Sequence, residues 1–212
     1  MPARESQLNG RSRLRDLRAH NRETAEQMAR ERERFRALAE PGAAPVAVAS
    51  FNLFQTPGPI CRRMADMLGE RANILEPSAG LGRLYLASRM HNDTPSTLVD
   101  ISAECCTQLE KIAAGDQGAK VVQGDFLALT VADLGTFDGV IMNPPFKRGT
   151  DIHHIKHAAK FLTDGGLLVA LCANGPRQRE ALLPIVETWE ELPAGSFRSE
   201  GTGVDVALLT IR

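Results

Sequence analysis

No run of this 212-residue chain is long or apolar enough to cross a bilayer as a helix, and the opening Met1-Pro2-Ala3-Arg4-Glu5 lacks the apolar stretch of a secretory signal. These absences predict a cytoplasmic protein with no membrane partner. Cysteine is sparse. Cys61, Cys105, Cys106 and Cys172 form no Cys-x-x-Cys pair and no spacing typical of a zinc site, so reduced, mostly buried thiols are expected. No internal repeat or extended low-complexity tract is present, which excludes a repeat array. The formal net charge is only −1, and 43% of the residues are hydrophobic, a composition that can bury one sizeable core.

The charge that is present is unevenly placed. Residues 1–40 carry ten arginines against seven acids, whereas the remainder is acidic. Leu14, Asn21, Met28 and Phe35 recur every seven residues beside Leu17 and Leu38, among good helix formers. The pattern predicts a charged helical arm over 1–40. Three roles fit it: a helix packing one stripe on the body, a coiled coil that makes a homodimer, or an arm touching nucleic-acid phosphates. Pro41-Gly42-Ala43-Ala44-Pro45 breaks the helix, so 41–50 reads as a linker and 51–212 as the main domain.

Within that domain the tetrapeptide Asn143-Pro144-Pro145-Phe146 follows the apolar run Phe137-Asp138-Gly139-Val140-Ile141-Met142. Two prolines can neither continue a helix nor donate to a sheet ladder, so the strand ends there and carbonyls before the rings lack local partners. An amide side chain and a free carbonyl then converge as acceptors, suited to an exocyclic amino group, and Phe146 offers a flat surface to a planar base. Upstream, Asn73-Ile74-Leu75-Glu76-Pro77-Ser78-Ala79-Gly80-Leu81-Gly82-Arg83 reads as strand, glycine turn and helix start. Two further strands end on acids, Leu98-Val99-Asp100 and Val121-Val122-Gln123-Gly124-Asp125. In a doubly wound sheet, four such tips face one nucleoside-like ligand.

The remaining elements follow the same alternation. A helix with Thr56 as its cap and Pro57 in its first turn runs to Leu68 and stops at Gly69; another spans Arg83 to Met90, and a third Ala103 to Ala114. Strand four covers Gly139 to Asn143, and Lys147-Arg148-Gly149-Thr150 reads as a basic loop. A helix from Asp151 is ended by Asp164-Gly165-Gly166, a buried strand covers Leu167 to Cys172, and a helix is expected over Pro176 to Trp189. Glu190 to Pro193 and Val204 to Ile211 close the chain as an antiparallel hairpin. His153, His154 and His157 lie on the helix after the motif and read as a solvated or substrate-facing face, with no third ligand that would make a metal site.

This ordered set resembles the class I S-adenosylmethionine-dependent methyltransferases, and in particular the amino-methyltransferases of nucleic acids that carry an Asn-Pro-Pro-Phe motif. The elements Phe54-Gln55-Thr56-Pro57 and Glu76-Pro77-x-x-Gly80-x-Gly82 look most like those of N6-adenine DNA methyltransferases. The resemblance implies an α/β, Rossmann-like seven-stranded sheet with a C-terminal antiparallel hairpin. It implies S-adenosylmethionine as cofactor, held by Phe54, Thr56, Pro57, Glu76, Gly80, Gly82, Asp100, Asp125 and Phe126. Asn143, Pro144 and Phe146 would be catalytic, with Pro145, Lys147 and Arg148 toward the substrate. DNA is the implied partner; an RNA base, a protein glutamine, or a non-catalytic binding module with this fold are the alternatives. The intervals after Phe146 leave little room for a target-recognition region, so sequence recognition would be minimal, borne by an oligomer or delegated.

Overall fold

The computed structural model describes residues 55–212; the charged arm over 1–40, the linker over 41–50 and Phe54 lie outside the described residues. Helices and strands alternate along the chain: α1 (Gly58–Leu68), β1 (Ile74–Pro77), α2 (Arg83–Ser88), β2 (Ser96–Asp100), α3 (Ala103–Ile112), β3 (Ala119–Gln123), α4 (Val131–Leu134), β4 (Phe137–Met142), α5 (Thr150–Ala158), β5 (Leu162–Ala173), α6 (Pro176–Leu182), β6 (Thr188–Glu191) and β7 (Val206–Ile211). The strands form one seven-stranded sheet in the order β3-β2-β1-β4-β5-β7-β6. Neighbours from β3 through β5 are parallel, while β7 runs antiparallel to both β5 and β6. This is the Rossmann-like α/β sheet with an antiparallel close that the sequence predicts.

Burial explains why these segments are strands. Every residue of β1, β2 and β7 is buried, as is Leu167 through Cys172 of β5, because helices cover both faces. On one face Ile152, Ile155 and Ala158 of α5 pack with Phe137, Phe161 and Leu182. On the other, Cys61, Met64, Ala65 and Leu68 of α1 pack with Leu84, Ala87 and Phe197. Each such large side chain contributes about 1.5–3 kcal/mol on leaving water. All four cysteines are free and buried. Among the described residues, no helix is long and apolar enough to cross a membrane.

Three local expectations are corrected. Thr56 does not cap α1: Pro57 occupies that position without a side-chain cap, and the Thr56 hydroxyl is bonded elsewhere. The helix expected over 176–189 stops at Leu182 and passes through a 3-10 turn over Leu183–Ile185, while Trp189 lies in β6 opposite Leu209. Pro184 is the reason, since it has no N–H to donate and its ring clashes with the carbonyl one turn back. Asp164, Gly165 and Gly166 do not end a helix. They form an irregularity inside β5, where pairing with β4 jumps from Phe137 opposite Leu162 to Gly139 opposite Leu167, and Gly165 turns the chain at φ 75°.

One buried carboxylate joins three elements beside the carboxyl edge of the sheet. Asp151, in the first turn of α5 and fully buried, accepts from the Ala173 N–H at 3.0 Å and from the Gln178 amide at 3.1 and 3.2 Å. Burial raises its pKa, and these donors oppose the rise. Replacing it with Ala would leave the end of β5 and the start of α6 with unpaired donors. Asp151→Ala should therefore lower the unfolding free energy by about 2–3 kcal/mol, and Asp151→Asn, which keeps an acceptor, by less; urea denaturation monitored by circular dichroism measures both.

Candidate active site

β1 pairs with β2 on one side and β4 on the other, so chain connections depart in opposite directions at the carboxyl end of β1. A crevice at such a switch point is where open α/β sheets bind ligands. The turn after β1 is shaped by left-handed residues: Ser78 at φ 62°, Gly80 at φ 57° and Gly82 at φ 76°. A Cβ on Gly82 would lie 3.0 Å from Leu109 Cδ2 and 3.3 Å from Ile112 Cδ1, so only glycine lets the turn rest on α3. The turn is tied to the next strand by Asp100. Its Oδ2 accepts from Gly80 N at 2.8 Å and its Oδ1 from Ser102 N at 2.9 Å, while Ala79 N donates to Val99 O at 2.9 Å.

Glu76, the third residue of β1, is 2% exposed. Its Oε2 is buried and has no hydrogen-bond partner among the described residues. Burial pushes its carboxyl well above the ordinary range; the Tyr85 backbone N–H opposes this, and the charge of Asp100 adds to it. A buried carboxylate oxygen without a donor is costly, and a cation or ammonium brought to it removes that cost. Glu76, the glycine turn and the Asp100 tip thus fit a ligand with an amino-acid end and a ribose.

Asn143 follows the last residue of β4, and its side chain spans to the segment before α1. Its Nδ2 donates to Thr56 Oγ1 at 3.0 Å, and Thr56 is 3% exposed. In this orientation the amide presents Oδ1 as its acceptor. The Thr56 carbonyl is held in turn by Arg83 Nη1 at 2.9 Å, and the same Nη1 lies 3.3 Å from Glu200 Oε2. A relay from the β6–β7 connection through the first residue of α2 therefore sets the position of Asn143. Arg83 and Glu200 were not among the residues singled out in the sequence; the place of Arg83 directly after the glycine turn was an available signal for it, and Glu200 had none. Pro57 and Pro144 are buried and Pro145 is exposed. Phe146 is half-buried against the α1 face of the sheet. Lys147 and Arg148 are exposed in a 3-10 turn, not an irregular loop, with Arg148 at φ 58°.

At the third strand, Asp125 is exposed, and its Oδ1 accepts from Leu127 N at 3.0 Å. Phe126 is not available as a stacking surface. It is 3% exposed, its ring centroid lying 5.0 Å from that of His157, 5.4 Å from Phe161 and 5.8 Å from His154. Ile101, just past Asp100, is 70% exposed, and Leu127 is also exposed. These two apolar side chains each stand directly after or near a strand-end acid, where an isolated apolar residue gives no periodic signal in the sequence.

The histidines divide. His153 is exposed, but His157 bonds Leu129 O at 2.8 Å and His154 is buried, with Nδ1 3.1 Å from Ser78 Oγ. Of the solvated or substrate-facing face expected of the three, only His153 is exposed. Among the described residues, no group of three or more His, Cys, Asp or Glu side chains is placed to hold a metal ion.

Comparison with known proteins gives a class for this geometry. The model of the family described as "Methyltransferase small domain" matches residues 62–195, and the chain belongs to that family. It is a class I methyltransferase, an enzyme class whose cofactor is S-adenosylmethionine. Several solved structures share the fold. The PH1948 protein of Pyrococcus horikoshii, described as an RNA methyltransferase, is 17% identical, with 82% of this chain and 94% of that chain covered and a TM-score of 0.59. The 23S rRNA methyltransferase ErmE is 17% identical over 73% of this chain and 67% of that one, with a TM-score of 0.56. The glycopeptide N-methyltransferase MtfA in complex with (S)-adenosyl-L-methionine is 14% identical, covering 81% and 98%, with a TM-score of 0.57. No curated protein matches the chain.

The Ser78 contact has a consequence for stability. Burial lowers the pKa of His154 from 6.5 to about 4, against a smaller opposing pull from Asp125. The unfolded chain therefore binds a proton before the folded one does, so stability is fully present above pH 6.5 and is lost as pH falls toward 4. The loss should reach about 3 kcal/mol. His154→Gln, which can still accept from Ser78 but does not titrate, should flatten this part of the profile in denaturant midpoints taken from pH 7 to 4.

Proposed function

We propose that this enzyme transfers a methyl group from S-adenosylmethionine to the exocyclic amino nitrogen of a base in nucleic acid, with RNA the first candidate and adenine N6 of DNA the second. The carrying observation is the 3.0 Å bond from Asn143 Nδ2 to Thr56 Oγ1, which ties the amide at the tip of β4 to the segment that precedes α1. RNA is favoured because proteins with this fold include PH1948, described as an RNA methyltransferase, and the rRNA enzyme ErmE. The DNA reading rests on the spelling of the Asn143-Pro144-Pro145-Phe146 and Phe54-Gln55-Thr56-Pro57 elements.

The cofactor supplies an electrophilic methyl carbon on a sulfonium. The chain's own residues do the rest by position. Asp100 keeps the glycine turn closed on β2, and its carboxylate retains acceptor capacity for ribose hydroxyls beyond the Gly80 and Ser102 donors. Glu76 Oε2 takes the amino-acid ammonium. Asp125 accepts from the cofactor's adenine amine, and exposed Ile101 and Leu127 replace Phe126 as the apolar surfaces against that ring. Thr56 and Pro57 close the methionine side.

On the substrate, the amino lone pair is delocalised into the ring, and the group is too weakly acidic for a general base to act first. Asn143 Oδ1 and the Pro144 carbonyl accept its two hydrogens and draw them from the ring plane, which frees the lone pair for an in-line displacement. As the nitrogen–carbon bond forms and the carbon–sulfur bond breaks, positive charge passes to the nitrogen, where the two oxygens stabilise it until a proton leaves to water. Phe146 stacks on the base, which in a duplex must first be turned out. Pro145, Lys147 and Arg148 face the substrate.

Tritiated methyl transfer to separate RNA, DNA and protein pools tests the reading. Label in RNA that digestion returns as a base methylated on its amino nitrogen is the expected result; label only in DNA supports the second reading, and label only in protein refutes both. Asn143→Ala should reduce kcat by about 10²–10³-fold. The two tips should also separate in calorimetry: Asp100→Ala raises the cofactor Kd more than roughly tenfold, since one bidentate tie and the ribose contact are both lost, while Asn143→Ala leaves that Kd nearly unchanged. Equal losses would overturn the division of roles.

A further inference from the structure

Charge along the described domain is unevenly spaced in a way the chemistry at the strand tips does not require. Residues 93–146 hold eight acids and two lysines, whereas residues 147–163 hold four basic side chains and one acid, Asp151, which is buried. His153, Lys156 and Lys160 are exposed and recur at three and four residues, so they share the outward face of α5 and its 3-10 extension over Ala159–Phe161. Lys147 and Arg148 stand at the head of that face, immediately after the Asn143-Pro144-Pro145-Phe146 tip. Arg177 of α6 joins them: its Nη1 donates to the Arg148 carbonyl at 3.3 Å, and its Cδ lies 3.2 Å from where a Cβ on Gly149 would stand.

A solvated helix usually mixes signs, as α1 does with Arg62, Arg63 and Asp66, and α3 with Glu104, Glu110 and Lys111, all exposed. The outer face of α5 carries one sign. None of Lys147, Arg148, Lys156, Lys160 or Arg177 has a carboxylate within ion-pairing distance among the described residues, although the body outside the arm has 15 basic against 19 acidic side chains. Arg148 is held at φ 58°, in the left-handed region that costs a non-glycine residue energy.

We infer that this face is a rail for the phosphodiester backbone of the substrate: a polynucleotide whose target base enters at Asn143 crosses Lys147, Arg148 and Arg177 and runs down α5 over Lys156 and Lys160. The inference rests on the nucleic-acid reading above and deepens it. α5 leaves the β4 tip and leads to the start of β5, so its axis points away from the reacting centre; at about 1.5 Å per residue, Lys160 is some 15 Å beyond Thr150. Contacts at that distance touch phosphates and no reacting atom. They supply affinity without sequence information, which suits a domain whose chain after Phe146 is consumed in completing the sheet.

The test is fluorescence anisotropy with labelled 20-nucleotide single-stranded RNA and DNA, titrated at several salt concentrations with the full-length protein and with Lys156→Glu/Lys160→Glu. Glutamate is a good helix former, so α5 should persist, and an unchanged cofactor Kd by calorimetry certifies the folded state. The rail predicts roughly tenfold weaker binding of the double variant, and a slope of log K against log salt shallower by about 1.4 for two lost phosphate contacts on a single strand. Lys156→Gln/Lys160→Gln, which removes charge without reversing it, should lose less affinity. Identical affinity and slope for wild type and double variant would overturn the rail while leaving methyl transfer to nucleic acid intact. The converse pattern, binding through these lysines by a protein that methylates no nucleic acid, would retain the rail and refute the proposed reaction. If wild type binds neither strand, both fall.

Discussion

The hydrogen bond between the Asn143 amide and the Thr56 hydroxyl is the contact on which the site turns. It joins two segments 87 residues apart in sequence and ties the amide at the β4 tip to the entry of α1. Holding Thr56 in place requires its own support, and the structure provides it through Arg83 and Glu200. The orientation of one side chain at the β4 tip is thus determined jointly by the entry to α1, the first residue of α2 and the connection between β6 and β7.

A second constraint works on the neighbouring side of the crevice. Asp100 accepts from two backbone N–H groups and so holds the glycine turn against the second strand. Glu76, by contrast, has a buried oxygen without a partner among the described residues, a costly state for a carboxylate. The two acids sit on adjacent parallel strands and differ in their contacts: Asp100 accepts from two backbone N–H groups, and Glu76 Oε2 has no partner among the described residues.

Much of this was legible in residue order. Continuous apolar runs announced the buried strands, the glycines with a following arginine announced the turn and helix, and the double proline announced a strand end. Misreadings arose where local signals competed. The run from Pro176 to Trp189 looks helical until Pro184 is weighed, and Asp164-Gly165-Gly166 looks like a helix stop when it is a bulge in a longer strand. Phe126 follows a strand-end acid, as a stacking ring would, yet three aromatic neighbours on α5 and beyond enclose it. His154 and His157 lie on the helix face that this same cluster covers, so periodicity alone could not tell their inward side from solvent.

The sequence by itself determined the class of fold and the identity of the strand-tip residues, because both follow from short-range facts: apolar continuity, the conformational freedom of glycine and the missing N–H of proline. Only the tertiary structure decided which of those residues are bonded within the protein itself. That division depends on contacts between segments far apart in the chain, such as Thr56 with Asn143, Gly80 with Asp100 and Ser78 with His154, and no local pattern encodes them.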